Sequence, residues 1–118
     1  MHATLKNYGQ SPRKVRLVAD LIRGKSVRDA RTILSFLPKK SSPMFSTLLA
    51  SALANAKGVS ETDLVVKKVT VDKGAVMRRF KPMARGRAAA FRRTRSIVSV
   101  VLEKRQEKKG KKSVSPKK

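Results

Sequence analysis

The chain has 118 residues, with 30 Lys and Arg against seven Asp and Glu, a formal net charge of +23 at pH 7. Its 40% hydrophobic content allows one modest core in a single domain, and the lack of cysteine excludes disulfides, thiol nucleophiles and cysteine metal sites. A chain this basic binds nucleic acid through counterion release even without a fitted site.

No run of about 18 apolar residues is present to span a membrane. No apolar signal-peptide stretch precedes the first element. The expected location is the cytoplasm, or an organelle if the chain is a mature imported protein.

In chain order, residues 2–8 (HATLKNY) read as a short strand. Ser11-Pro12 is a cap residue followed by proline at the first helical position. The helix it opens is predicted to run to Arg23, with Gly24 as its stop. Val15, Leu17, Val18, Leu21 and Ile22 form one broad apolar face. Arg13, Arg16, Asp20 and Arg23 fall together opposite it. Three arginines with one acid favour a phosphate-facing surface over ordinary solvation.

Ser26 caps a second helix, with Asp29 as its capping-box partner. Val27, Ala30, Ile33, Leu34 and Leu37 make its apolar stripe, and Pro38 ends it. Lys39 and Lys40 fall in the following loop. Ser42-Pro43 opens a third helix, from residue 44 to about 56. Phe45, Leu48, Leu49, Ala52 and Leu53 leave it apolar on most sides, the mark of a central helix. Its small residues Ala50, Ser51, Ala54 and Ala56 are expected to admit close neighbours. Lys57-Gly58 end it, and residues 59–63 read as a loop.

From Leu64 the apolar period changes to two, with Val65, Val69 and Val71 on one face and Lys67 between them. Residues 97–102 are apolar apart from Ser99, which predicts a strand buried on both faces. Residues 73–102 hold nine Lys and Arg and no Asp or Glu. The simplest reading is a long antiparallel β-hairpin whose arm covers about residues 72–96. Such an arm repels itself and calls for a polyanion to lie against. Pro82 demotes its strand to an edge or interrupts the pairing, and Gly86 is the natural tip.

The predicted fold is therefore α+β. Three helices pack on a small antiparallel sheet that carries the extended arm, in one domain over residues 1–103. Residues 104–118 hold eight basic residues and one acid, without apolar periodicity. They are predicted to form a disordered tail.

Catalysis finds no footing in this chain. His2 is the only histidine and lies at a terminus. The acids are scattered, and the one close pair, Glu61 and Asp63, sits in a loop without a histidine nearby. ARGRA is too short for a phosphate-cradling loop. No metal and no cofactor is expected. The arm is rich in arginine, whose guanidinium bridges two phosphates or stacks on a splayed base. Folded RNA presents both targets. Phe80 and Phe91 either stack on bases or pair with each other across the hairpin, and the residues alone leave both readings open.

Several segments bear a resemblance in order. SPRKVRLVADLIRGK at residues 11–25, SALANA at 51–56, VDKGAVMRRFKPMARGRA at 71–88 and RRT at 92–94 resemble the universal large-subunit ribosomal protein twenty-two family. The likeness covers about residues 5–102. It implies a body bound at the ribosome surface to large-subunit ribosomal RNA, beside neighbouring ribosomal proteins. It also implies a hairpin threaded through the RNA to line the nascent-peptide exit tunnel, its tip near the macrolide-binding region.

The rRNA-binding candidates are Arg13, Lys14, Arg16, Arg23 and Lys25 of the first helix and its turn. Those of the arm are Arg78, Arg79, Lys81, Arg85, Arg87, Arg92, Arg93 and Arg95. The tunnel-lining candidates are Met83, Ala84, Arg85, Gly86, Arg87, Ala88 and Ala89. No small-molecule substrate is expected. The alternative is an architectural DNA-binding protein with a basic β-arm. Its tip would carry an apolar wedge, whereas Arg85-Gly86-Arg87 and three alanines make a poor one. A membrane-active cationic protein is disfavoured by the absence of Trp.

Overall fold

In the computed structural model, which describes residues 1–106, three helices cover one face of a three-stranded antiparallel sheet. The elements are β1 (His2–Tyr8), α1 (Pro12–Ile22), α2 (Val27–Phe36), α3 (Ser42–Asn55), β2 (Leu64–Pro82) and β3 (Ala88–Lys104). The sheet order is β1-β3-β2, so the last strand is the central one.

Period-two patterning places one face of each strand in the core. On β3, Val98, Val100 and Leu102 are buried, together with Ser96. Ile97, Ser99 and Val101 are only half-buried, so the expected burial on both faces is corrected. The helices lie on one side alone, and the strand's other face stays partly open. On β2, a bulge between Val66 and Lys68 shifts the alternation by one residue. Leu64 and Val66 point into the core before it, Val69 and Val71 after it. The face expected from Val65, Val69 and Val71 is thereby corrected, because Val65 lies on the opposite side and is half-buried.

Pro12 opens α1, and the helix ends one residue before the expected Arg23, which is its C-cap. Gly24 follows with φ of +80°, a conformation glycine takes without a Cβ clash. Val15, Val18, Ala19 and Ile22 form the buried i, i+3, i+4, i+7 stripe. The broader expected face is corrected, since Leu17 is 59% exposed and Leu21 43% exposed. The turn after α1 is stitched to β2 at the bulge. Gly24 N donates to Val66 O, and Val66 N donates to Lys25 O, both at 2.9 Å.

The Ser26 hydroxyl accepts from Asp29 N at 3.2 Å, as the cap pattern requires. Val27, Ala30 and Leu34 then bury α2. The N-cap of α3 is Ser41, not Ser42, which is already helical. Phe45, Leu48, Leu49 and Ala52 form its buried side. Ala50, Ser51 and Ala54 face solvent, so they admit no neighbour among the described residues. Alanines on the outer side made this helix look apolar all round. Residues 59–63 contain a 3-10 turn over Glu61–Asp63.

Pairing of β3 continues to Lys104, opposite Leu64, and Arg105 N donates to Asp63 O at 2.6 Å. The predicted tail thus starts inside a strand, and its remainder beyond residue 106 lies outside the described residues.

This core makes a differential prediction. Phe45 is fully buried, so Phe45→Ala is expected to cost about 3–5 kcal/mol in urea unfolding. Leu17→Ala is expected to cost about 0.5 kcal/mol or less, as at other exposed positions. A Leu17 loss as large as that of Phe45 would contradict the packing described.

Candidate nucleic-acid interface

The arm leaves the body at a second bulge, between Lys73 and Val76, where Gly74 and Ala75 stand against Arg95 alone. Gly74 suits a close approach, since a Cβ there would lie 3.0 Å from Arg95 O and the backbone would have to give by a few tenths of an ångström. Sequence reasoning passed over this residue, although a glycine inside a strand pattern is the usual sign of a bulge. Beyond it, pairing runs unbroken from Val76↔Thr94 to Pro82↔Ala88. At about 3.3 Å per residue this ladder projects roughly 20 Å past the bulge. The described chain is correspondingly elongated, with a longest extent of 77 Å.

Pro82 occupies the last pair, where a missing donor costs least. The strands are joined by a tight turn in which Met83 N donates to Arg87 O at 2.7 Å. Arg85 (φ 64°) and Gly86 (φ 69°) both adopt the left-handed conformation. Gly86 takes it freely, and Arg85 holds it at a cost of about 1 kcal/mol. All the tip residues from Met83 to Ala88 are exposed, and Ala89 is half-buried.

Register sorts the arm side chains into two faces, because directly paired residues share a face. Arg78 pairs with Arg92 and Phe80 with Ala90 on one. Met77 pairs with Arg93, Arg79 with Phe91, and Lys81 with Ala89 on the other. Both faces are cationic, and each carries one phenylalanine. The cross-strand Phe80–Phe91 pair is ruled out, since the rings lie on opposite faces. Phe80 is 73% exposed, and Arg93 Cζ stands 5.9 Å from the Phe91 ring centroid. Among the described residues, no arm cation has a carboxylate within ion-pair distance. The three ion pairs, Arg23–Asp20, Arg31–Glu61 and Lys67–Glu103, all belong to the body.

The α1 cations divide. Arg13, Lys14 and Lys25 are exposed with no bonded partner for their side chains among the described residues. Arg16 instead donates from Nε and Nη2 to Val71 O at 3.2 and 3.0 Å. Arg23 donates from Nη2 to Val69 O at 2.8 Å and from Nη1 to Asp20 Oδ1 at 2.7 Å. These two arginines tie α1 to β2 beside the root of the arm. Arg95, also at the root, donates from Nη1 to Asn7 O at 3.4 Å. The helix arginines thus lie along β2 and Arg95 reaches toward β1, so cations stand on both sides of the arm's root, and the arm carries the charge outward.

A family model described as ribosomal protein L22p/L17e matches residues 3–103, body and arm together. The chain belongs to this family. It is 52% identical over 99 residues to the large ribosomal subunit protein uL22 of Geobacter sulfurreducens, covering 81% of this chain and 89% of that protein. It is 45% identical over 104 residues to uL22 of Herpetosiphon aurantiacus, covering 86% and 92%. It is 44% identical over 108 residues to uL22 of Pediococcus pentosaceus, covering 89% and 92%. Membership makes the chain a ribosomal protein and not an enzyme. The architectural DNA-binding alternative receives no support. The long hairpin lies within the matched segment.

The division of α1 is testable. Arg16→Ala and Arg23→Ala are expected to lower folding stability by about 1 kcal/mol each, through lost carbonyl hydrogen bonds. Arg13→Ala is expected to leave it unchanged within about 0.5 kcal/mol. Chemical denaturation of the three variants checks this, and equal effects would remove the anchoring role.

Proposed function

We propose that this protein is a cytoplasmic, ribosome-bound structural component of the large subunit. It binds ribosomal RNA with its body and arm, supports subunit assembly, and borders the nascent-peptide exit tunnel with residues 83–89. The observation that carries the reading is the arm itself. It is a two-faced cationic ribbon with no acid and no core of its own, on a chain of the L22p/L17e family. A ribbon charged on one face suits a surface. One charged on both faces suits a crevice with RNA on each side, where the RNA supplies walls and counter-charge.

The roles divide along the molecule. Arg13, Lys14 and Lys25 meet phosphates at the body, with Arg16 and Arg23 adding to that surface while they hold α1 in place. Arg78, Arg79, Lys81, Arg92, Arg93 and Arg95 neutralise phosphates along the arm. At the tip, Arg85 and Arg87 anchor to the wall, while Ala84, Gly86, Ala88 and Ala89 keep the passage open. Nascent peptide and tunnel-bound macrolides are the contacts expected for Met83 and its neighbours. Other ribosomal proteins border the body.

Two measurements test this. Binding to large-subunit rRNA is expected to weaken steeply with salt. Replacing Arg78, Arg79, Arg92 and Arg93 by Ala is expected to flatten the log–log salt slope by about 3. An unchanged slope would mean these side chains do not neutralise phosphates. At the tip, Ala88→Trp with Ala89→Trp is expected to alter macrolide sensitivity or translational pausing in ribosomes that contain the variant. Wild-type behaviour in both would remove the tip from the tunnel wall.

A further inference from the structure

We propose that Phe80 and Phe91 are a pair of base-stacking sites on opposite faces of the arm, each taking an unpaired nucleobase of the RNA that flanks it. The inference rests on the rRNA-binding reading and adds a second mode of recognition to it. Phosphate contacts hold the arm in place, and the two rings read where bases are splayed out.

Register places the rings back to back. Phe80 pairs with Ala90, and Phe91 is the next residue along β3. The rings thus lie at nearly one level of the ribbon but project to opposite sides. Each ring has the neighbours a nucleobase needs. Ala90, the cross-strand partner of Phe80, is too small to cover it, and the ring remains 73% exposed. Arg78 precedes Phe80 by two residues on the same face, with Arg92 paired to Arg78. On the other face Phe91 is 38% exposed, with Arg93 over its ring at 5.9 Å and Arg79 directly opposite. An aromatic face beside two guanidinium groups matches a base and its flanking phosphates.

An apolar protein partner does not suit these rings. The segment around them carries cations and no acid, so a protein surface would have to bury Arg78, Arg79, Arg92 and Arg93 as well. A polyanion favours that burial and offers flat π-faces to the same patch. Single-stranded or bulged RNA has unstacked bases to offer, which regular duplex does not.

The chain contains no Trp, so Phe80→Trp and Phe91→Trp each install a single indole reporter. The full-length variants are titrated with large-subunit rRNA transcript, exciting beyond the absorption of Tyr8. Stacking predicts strong quenching of both indoles on binding. Phe80→Leu and Phe91→Leu are expected to weaken affinity by about 5- to 100-fold each, with the salt slope unchanged. Their thermal unfolding is expected to match wild type, as both rings lie outside the core.

Unquenched indoles, or leucine variants with wild-type affinity, would overturn the stacking sites while leaving phosphate binding intact. Lost affinity accompanied by a flattened slope would also overturn them, because it would trace the effect to displaced arginines. Failure of the wild-type protein to bind the transcript at all would overturn both this inference and the reading beneath it.

Discussion

Body and arm share one backbone ladder, and the rest of the structure depends on it. β2 and β3 pair from Leu64↔Lys104 within the core to Pro82↔Ala88 at the far end. No linker separates the two parts. The direction of the arm is therefore set by the same register that buries Val69, Val71, Val98 and Val100. A slip of one residue would turn Ile97, Ser99 and Val101 toward the helices and bring buried valines out. Core packing thus resists reorientation of a segment that has no core. Bulges mark both places where the ladder changes character. The first lets the α1–α2 turn bond to β2, and the second, with Gly74 against Arg95 O, marks the exit of the arm.

Charge is distributed in keeping with this division. The acids that form ion pairs, Asp20, Glu61 and Glu103, do so with body cations. All three pairs are substantially exposed, so each contributes under about 1 kcal/mol to stability. Their consequence is local neutralisation of the body. On the arm, Arg78 faces Arg92 across the ladder with no acid in between. Repulsion at that spacing in water is of order 1 kcal/mol. The backbone hydrogen bonds can carry a cost of that size, and a phosphate between the two guanidinium groups reverses its sign. Under the proposed phosphate binding, the residues that burden the free hairpin are the ones that stabilise the bound one.

Much of this was legible in the residues, for identifiable reasons. Proline at the start of α1, the Ser26 cap and Gly24 are local signals that act within one turn, and each stands where the pattern put it. The acid-free stretch and Gly86 likewise marked the arm and its tip. What failed was decided by tertiary contacts. Leu17 and Leu21 are apolar but lie past the edge of the stripe that the sheet can cover. Val65 missed its expected face because a bulge at Lys67 adds one residue to the count, and the alternation of valines does not reveal it. The outward alanines of α3 read as core because hydropathy does not distinguish a small solvent-facing residue from a buried one.

The candidate site shows the same limit at closer range. Arginine on α1 predicted a phosphate surface, but the residue type is silent about which guanidinium reaches a carbonyl. Arg16 and Arg23 do so because i and i+7 place them over the β2 edge, whereas Arg13 points clear of it. Phe80 and Phe91 carry the point further. Eleven residues apart, they satisfied a cross-strand pair and two separate exposed rings equally well. The choice depends on whether the turn closes an odd or an even count between the strands. The Met83–Arg87 turn closes it so that Arg79, not Phe80, meets Phe91. Removing one residue there, with the ladder slipping to keep the same turn, would pair Phe80 with Phe91 and leave one face of the arm without an aromatic. The ladder register, passed from the core through the bulge before Val76 and closed at the turn, therefore decides which arm side chains share a face.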